Sequence, residues 1–291
     1  MKVTISGITD VGKVRDKNED AFVICPDLAR PKWGKKVAKV ELGAKGTLLA
    51  VADGMGGANA GDVASRLALE SLKSSFSSSN LDSIIENSVS IKEFLQKAVA
   101  IADKAINEHT MSHPETFGMG TTIVICWILG SKAYVAWCGD SRCYVYNPAS
   151  GLIALTKDHS LVQELVDKGK LTQEEAFNHP DSNIITRGLG CFDPEPIADL
   201  TTYNIRPDDV FLLCSDGLSG YCNNSEIENV MKANCPNIGN CCKKLMDLAW
   251  DAGGYDNICI VLASVGNQYH AKNRRLKLAS FLKRLFSNKK E

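Results

Sequence analysis

Short apolar runs rich in β-branched and aromatic residues recur along the chain, and they constrain its fold more than any other feature. Each run is four to nine residues long, and most are closed by Gly, Asp or Asn. Runs of this length and composition are typical of β-strands. The predicted strands are Val3–Ile8, Ala21–Cys25, Thr47–Ala52, Thr121–Leu129, Ala133–Cys138, Cys143–Tyr146, Val210–Cys214 and Ile258–Val265.

Helical stretches lie between these runs. Residues Ile91, Leu95 and Val99 show the four-residue spacing of an amphipathic helix, and Thr172 with Glu175 forms a capping-box pattern. Asp158 is a further predicted N-cap, and the serine-rich stretch 74–90 is predicted to be a surface loop. The predicted helical stretches are Asn59–Phe76, Ile91–His109, His159–Phe177 and Ser225–Trp250.

Short connections predict how the strands pair. The turns at 129–132 and 139–142 favour antiparallel neighbours. Because the first and last runs have the character of strands from one core, we expect a single domain over residues 1–266. The pattern predicts an α+β fold in which largely antiparallel sheets are flanked by helices.

Acidic residues stand where several of these runs end. Side chains at strand ends lie at the rim of the core, where residues distant in sequence can converge. Converging carboxylates repel one another, and some take up protons unless a cation is bound. The acids concerned are Glu19, Asp20, Asp53, Asp140, Asp216 and Asp256.

The chemistry of this set predicts the cation. All the ligands are oxygens, to which the backbone carbonyl of Gly54 can add one, and hard oxygen ligands favour Mg²⁺ or Mn²⁺. Several carboxylates suit two ions about 3.5–4 Å apart, which can hold a bridging hydroxide for in-line attack on phosphorus. Arg15, four residues before Glu19, supplies a guanidinium that can bind phosphate with two hydrogen bonds. The sequence therefore predicts phosphoryl chemistry.

Composition excludes several classes of protein. No apolar run approaches the ~20 residues that cross a bilayer, and no export signal is seen at the N-terminus, so a cytoplasmic location is expected. The eleven cysteines form no Cys-x-x-Cys pair, which argues against a disulfide framework or a zinc site. Net charge is −1 overall, but residues 271–291 carry eight Lys or Arg and one Glu, so the remainder is acidic. An acidic body argues against nucleic acid as a partner.

The basic tail, residues 267–291, is predicted to be amphipathic. Leu278, Leu282, Leu285 and Phe286 have helical spacing among Lys and Arg. Two interpretations stay open: a helix over residues 272–291 that contacts the inner membrane face peripherally, and a helix that is solvated or docked on its own domain.

Six motifs together carry a resemblance to a known family. They are Arg15-x-x-Asn18-Glu19-Asp20, Asp53-Gly54-Met55-Gly56-Gly57, Gly120-Thr121-Thr122, Gly139-Asp140-Ser141-Arg142, Ser215-Asp216-Gly217-Leu218 and Asp256-Asn257. In this order and spacing they resemble the type-2C (PPM) metal-dependent serine/threonine protein phosphatases, over roughly Val3 to Val265. The stretches 155–160 and 183–190 resemble the compact bacterial members in particular.

The resemblance implies a four-layer α-β-β-α sandwich with a two-metal site at one edge. Asp53 would bridge the ions, Glu19 and the Gly54 carbonyl would complete one, and Asp216 and Asp256 the other. Asp20 would bind metal-coordinated water and Arg15 the substrate phosphate. Asp140 with Asp216 matches a third, weaker metal of many bacterial relatives, although Gly139–Arg142 could instead be a hairpin turn. Residues 158–196 match a mobile flap beside the cleft.

The function implied is hydrolysis of phosphoserine and phosphothreonine in proteins without a covalent intermediate, which would reverse the action of a bacterial Ser/Thr kinase. One position departs from many eukaryotic relatives: Met55 stands where they have a histidine that could protonate the leaving oxygen. The identity of that acid stays open. Two alternatives are a non-catalytic pseudo-phosphatase module and a phosphatase for a phosphorylated anti-sigma-factor antagonist.

Overall fold

Two antiparallel sheets form the centre of the protein. The computed structural model describes residues 1–34, 36–56, 60–192, 196–235 and 237–266. Within these ranges the strands are β1 (Lys2–Asp10), β2 (Asp20–Cys25), β3 (Val37–Glu41), β4 (Thr47–Met55), β5 (Gly120–Thr121), β6 (Ile123–Leu129), β7 (Lys132–Cys138), β8 (Arg142–Asn147), β9 (Gly151–Ala154), β10 (Asp199–Asn204), β11 (Val210–Cys214) and β12 (Ile258–Gly266).

The first sheet has the order β3-β1-β12-β11-β8-β9 and the second β10-β7-β6-β4-β2, with β5 paired to β4 beside it. The two ends of the described chain meet in the first sheet, where Val3 lies opposite Val265. In the second sheet β2 pairs with β4, so that Asp20 lies opposite Asp53. This register places two of the predicted site residues side by side.

Eight helices are described, and the four longest cover the outer faces of the two sheets. The eight helices are α1 (Gly61–Ser78), α2 (Leu81–Ile84), α3 (Ser88–Ser112), α4 (Leu161–Asp167), α5 (Gln173–Phe177), α6 (Asp216–Ser219), α7 (Asn224–Asn234) and α8 (Ile238–Asp251), with a 3-10 turn at Pro114–Thr116.

Three apolar clusters join these layers. One lies between the sheets and includes Ile5, Val51 and Phe211. A second joins the β4 and β6 face to α1 and α3, and a third joins the β11 and β12 face to α7 and α8. The predicted α-β-β-α sandwich of antiparallel sheets is therefore confirmed.

Three strands were not predicted from the sequence. All three, β3, β9 and β10, stand at sheet edges. Their residues are half-buried or exposed throughout, so an apolar-run criterion does not detect them. Edge strands face water on more sides than central ones and need fewer apolar residues.

Three local predictions were wrong. Residues 139–142 do not form a hairpin turn, because β7 and β8 belong to different sheets and the connection crosses between them. Ser160 rather than Asp158 caps α4, since its hydroxyl accepts from the Gln163 N–H. The stretch 74–90 contains the end of α1, the short α2 and the start of α3 rather than an open loop. The Thr172–Glu175 capping box is confirmed.

The basic tail, residues 267–291, lies outside the described residues, and so do Gly57 and residues 193–195 of the flap region. The division into a catalytic domain and a tail stays a prediction. No helix in the described ranges is both long and apolar enough to cross a membrane.

Candidate functional site

The predicted site acids meet at one edge of the two sheets. Asp20 begins β2, and Asp53 lies near the end of β4. Asp216 begins α6 directly after β11. Asp256 lies just before β12, and Asp140 follows β7. Burial first, and then the negative charges of neighbouring carboxylates, raise the pKa values of Asp20, Asp53, Asp140 and Asp216, and the charge of Asp256 contributes at Asp20 and Asp216. The five carboxylates therefore lie close enough to interact.

Close backbone packing explains the glycine after Asp53. The Gly54 N–H donates to the Glu19 carbonyl at 3.2 Å. A Cβ on Gly54 would stand 2.1 Å from the Gly61 carbonyl oxygen and 2.7 Å from that of Glu19, both backbone atoms. Only glycine lets the end of β4 approach Glu19 and the start of α1 this closely.

Two threonines fix the backbone of Asp53. The Thr122 N–H donates to the Asp53 carbonyl at 2.8 Å, and the Thr121 hydroxyl donates to the same oxygen at 2.8 Å. In return the Asp53 N–H donates to the Thr122 hydroxyl at 3.1 Å. Two residues of the Gly120–Thr122 motif therefore position Asp53.

Ser215 and Asn257 perform similar tasks that the sequence analysis did not assign. The Ser215 hydroxyl donates to Asp20 Oδ2 at 2.6 Å and accepts from the Cys259 N–H at 2.9 Å. The Asn257 side chain accepts from the Glu19 N–H at 2.7 Å and donates to the carbonyls of Val11 and Lys17. Both residues stand beside a predicted ligand in the quoted motifs, and this adjacency is the signal that could have identified them.

The electrostatics of the cluster suit a bound cation. Burial, followed by the neighbouring charges of Asp216 and Asp256, raises the pKa of Asp20 from 3.8 to about 8. Burial likewise raises the pKa of Asp53 and Asp140 well above the usual range, and that of Asp216 in the same direction. Without a cation these shifts favour the protonated forms of the carboxyl groups.

Two buried oxygens show where a cation would fit. Asp20 Oδ1 and Asp140 Oδ1 are buried, and neither has a hydrogen-bond partner. An unsatisfied buried carboxylate oxygen is costly, and a divalent ion that prefers oxygen ligands would satisfy it. In the described ranges no three His, Cys, Asp or Glu side chains are yet arranged to hold an ion. Asp20 accepts a hydrogen bond from Ser215 at Oδ2 and keeps Oδ1 free of a partner, and Asp256 Oδ2 is bound to Arg15.

Arg15 reaches the same site from the β1–β2 connection. Its Nη2 lies 2.8 Å from Asp256 Oδ2, and the hydrogen bond to Asp256 is the main reason that its pKa is raised. The Arg15 side chain is 56% exposed and that of Asp256 only 22%. The guanidinium is thus next to the acids and accessible to a ligand from solvent.

Asp140 opens onto a groove beside the cluster. The groove has a volume of about 640 Å³ and extends from Asp140 and Asp216 past Tyr221 to the segment after Asp158. Next to Asp140, Arg142 forms a paired hydrogen bond with Asp158, with Nε 2.8 Å from Oδ1 and Nη2 2.6 Å from Oδ2. Arg142 is therefore tied to the segment that follows β9.

His159 and Met55 have structural positions near the site. His159 Nδ1 accepts from the Gly139 N–H at 3.0 Å, and burial lowers the pKa of His159. Met55 ends β4 and lies opposite Gly120 of β5. A thioether has no proton to donate.

Comparison with known proteins agrees with this geometry. The model of the family "Protein phosphatase 2C" matches residues 6–165. Protein phosphatase PhpP of Streptococcus pneumoniae is 34% identical over 271 residues, which are 91% of this chain and 98% of PhpP. Serine/threonine protein phosphatase PstP of Mycobacterium tuberculosis is 35% identical over 257 residues. That match covers 88% of this chain but only 44% of PstP, so the chain spans less than half of that relative.

Solved structures give the same result. A crystal structure of a bacterial serine phosphatase has a TM-score of 0.77 at 33% identity and covers 91% of this chain and 98% of the other. The PstP catalytic domain in complex with two manganese ions has a TM-score of 0.72 at 32% identity, with 92% of this chain and 100% of the other covered.

Proposed function

Because the chain belongs to the protein phosphatase 2C family, we propose that it hydrolyses phosphoserine and phosphothreonine in proteins with the help of two divalent ions. The observation that carries the proposal is the convergence of buried and half-buried acids at one sheet edge, with unsatisfied oxygens on Asp20 and Asp140. The manganese found in the related PstP catalytic domain supports the choice of Mg²⁺ or Mn²⁺.

Each acid has a proposed role. Asp53 would bridge the two ions, Glu19 and the Gly54 carbonyl would complete one of them, and Asp216 and Asp256 the other. When held by these residues, divalent ions would activate water as the nucleophile and neutralise charge on the phosphate. Asp20 would orient water at the site through its free Oδ1.

The other side chains bind substrate or position the acids. Arg15 would leave Asp256 and hold the phosphate with two hydrogen bonds. Thr121 and Thr122 keep Asp53 in place by hydrogen bonds to its backbone. Ser215 keeps Asp20 in place by a hydrogen bond to the Asp20 carboxylate. Met55 cannot protonate the leaving oxygen, so the proton must come from another group in the cleft.

A third, weaker ion is proposed at Asp140 and Asp216, where Asp140 Oδ1 is buried without a partner. Phosphorylated proteins and a cognate Ser/Thr kinase are the proposed partners, on the basis of the relatives named serine/threonine phosphatases. Membrane-surface contact through residues 272–291 stays a prediction from the charge of the tail.

A non-catalytic module is the weaker alternative. A family member without catalysis would be expected to lack one or more of the metal-binding carboxylates. In this chain Glu19, Asp53, Asp216 and Asp256 are all present, and so are Asp20 and Asp140.

The experiment that tests the proposal is hydrolysis of a phosphothreonine peptide and of p-nitrophenyl phosphate with Mn²⁺ and with EDTA. We expect activity only with the metal, and a loss of about 100-fold or more in Asp216→Asn, because an anionic ligand is removed. Asp247→Asn is the matched control, since Asp247 is an exposed residue paired with Lys244 on α8. Activity that survives the chelator would contradict the two-ion mechanism.

A further inference from the structure

We propose that Cys235 and Cys241 form a redox modification site, at which the two thiols join reversibly in a disulfide that links α7 to α8. Their Sγ atoms are 3.2 Å apart. A disulfide bond of about 2.05 Å needs the sulfurs to approach by only roughly 1.2 Å. The proposal goes beyond phosphate hydrolysis and does not depend on it.

Solvent access distinguishes Cys235 from most other cysteines of the chain. Nine of the eleven are buried, Cys191 is exposed, and Cys235 is half-buried. Cys235 caps the C-terminus of α7, and its N–H donates to the Met231 carbonyl. An oxidant in solution can therefore reach Cys235, while Cys241 lies directly behind it with no exposed surface.

The neighbouring cysteine pairs lack this combination. Cys242 follows Cys241 in sequence, but its Sγ points towards the backbone carbonyls of Ser6 and Ile260, at 3.9 and 3.7 Å. Cys126 and Cys143 interact with each other, but both are buried. Among the cysteines, the pair of Cys235 and Cys241 combines short separation with access from solvent.

The two thiols also differ in acidity in the direction that a disulfide requires. The Cys241 thiol stabilises the Cys235 thiolate by a hydrogen bond, which lowers the pKa of Cys235. The same contact, together with burial, raises the pKa of Cys241. Cys235 is thus the thiolate that reacts first, and Cys241 the thiol that resolves the product.

The proposed oxidant is a hydroperoxide. The Cys235 thiolate attacks the terminal oxygen, the O–O bond breaks, and Cys235 keeps the transferred hydroxyl as a sulfenic acid, while the leaving hydroxide or alkoxide takes up a proton from solvent. The Cys241 sulfur then attacks Cys235 Sγ, the S–O bond breaks, and the hydroxyl leaves as water with the Cys241 proton. The two cysteines lose two electrons in total, and the peroxide is reduced to water or an alcohol and water.

The crosslink would fix the connection between two helices of the outer layer. Both helices pack on the β11 and β12 face through the same apolar cluster, to which Cys241 belongs. The polypeptide segment preceding α7 runs back to α6, whose first residue is Asp216. The disulfide would therefore restrain α7 and α8, the two helices that follow the predicted metal ligand Asp216 in the chain.

Peptide mass spectrometry tests the proposal on the full chain. Trypsin releases residues 233–243, which contain Cys235, Cys241 and Cys242, as one peptide. After treatment with hydrogen peroxide and blocking of free thiols, we expect this peptide to lose two hydrogens and to keep a single blocked thiol. Dithiothreitol should reverse the change. The oxidised peptide should be about tenfold or more depleted in both Cys235→Ser and Cys241→Ser.

Two matched variants separate this site from its neighbours. Cys242→Ser and Cys191→Ser should each still form the bond, because neither sulfur belongs to the pair. The proposal is overturned if Cys242→Ser abolishes the bond while Cys241→Ser retains it. It is equally overturned if peroxide leaves residues 233–243 reduced, or if Cys235 accumulates as a sulfinic acid without the crosslink.

Discussion

Arg15 Nη2 lies 2.8 Å from Asp256 Oδ2, so the guanidinium proposed to hold phosphate is bound to a carboxylate proposed to hold a metal ion. In this arrangement the guanidinium occupies Asp256 Oδ2, so that oxygen is not free for an ion. Binding of an ion by Asp256 would release Arg15, and the released guanidinium would stand at the edge of the site with its donors free. The ion pair thereby connects metal binding to phosphate binding.

Arg15→Ala should weaken substrate binding and strengthen metal binding. The loss of two charge-assisted hydrogen bonds should lower kcat/KM for a phosphothreonine peptide about 10- to 100-fold. Since Asp256 then has no cation to release, Mn²⁺ affinity measured by calorimetry should rise. Arg66→Ala, at an exposed position on α1, is the control and should change neither quantity. A fall in Mn²⁺ affinity in Arg15→Ala would contradict the competition.

Two glycine substitutions should have opposite effects on stability. In Gly54→Ala the new Cβ would stand 2.1 Å from the Gly61 carbonyl oxygen, so β4 or α1 must shift. We expect the free energy of unfolding to fall by about 2 kcal/mol and activity to be lost. In Gly239→Ala the new Cβ would have open space beside the helix, with Asn237 Oδ1 3.9 Å away, so α8 should gain about 0.5–1 kcal/mol. Urea unfolding of both variants measures the difference, and equal effects would exclude the packing argument.

Most of the central fold was predictable from sequence, because buried strands need continuous apolar runs. All eight predicted runs lie in strands, and Asp20, Asp53 and Asp216 stand at strand or helix starts and ends as expected. The edge strands β3 and β10 were missed because half-exposed strands carry polar residues. A period-2 pattern such as that of Val37–Glu41 is too short to be distinctive.

The site was predictable in its charged residues and less so in the residues that position them. Carboxylates at strand ends are unusual enough to be noticed, whereas a serine or threonine in the same place is common. The role of Ser215 depends on its 2.6 Å hydrogen bond to a residue 195 positions earlier, which no local pattern records. The crossing from β7 to β8 was also misjudged, since a short connection is compatible with a hairpin as well as with a change of sheet.

Removal of the Arg142 guanidinium alone from its ion pair with Asp158 should strongly destabilise the protein. The two side chains are only 26% and 14% exposed, and their hydrogen bonds are as short as 2.6 Å. Arg142→Met should lower the free energy of unfolding by about 3–5 kcal/mol, because it leaves a partly buried carboxylate without its partner.

The double variant Arg142→Met with Asp158→Leu is the informative control. Removal of both charges eliminates the uncompensated carboxylate, so we expect at least half of the lost stability to return. Urea unfolding of the two single variants and the double variant gives the coupling energy. Strictly additive losses would show that Arg142 acts through its contacts with Tyr144 and Ser219 instead.

The raised pKa of Asp20 predicts how the metal-free protein responds to pH. The pKa of Asp20 is 3.8 in the unfolded chain and about 8 in the fold. Between these two pH values the folded state therefore keeps a proton on Asp20 that the unfolded state has lost. Stability from this group is fully present below pH 4 and is lost as pH rises towards 8. Burial lowers the pKa of His159 below its ordinary value of 6.5, so the contribution of His159 to stability increases as pH rises through that value. The contributions of Asp20 and His159 must therefore be separated by mutation.

In EDTA, the melting temperature of the wild-type protein should therefore fall between pH 5 and pH 8 more steeply than that of Asp20→Asn, which cannot ionise at this position. With saturating Mn²⁺ the slope should reverse in the wild type, because the ion binds the deprotonated carboxylates and gains affinity as protons leave. Differential scanning fluorimetry over this range measures both slopes. Parallel curves for the two proteins in EDTA would show that Asp20 is already ionised in the metal-free fold, and a wild-type slope unchanged by Mn²⁺ would show that the buried acids do not bind it.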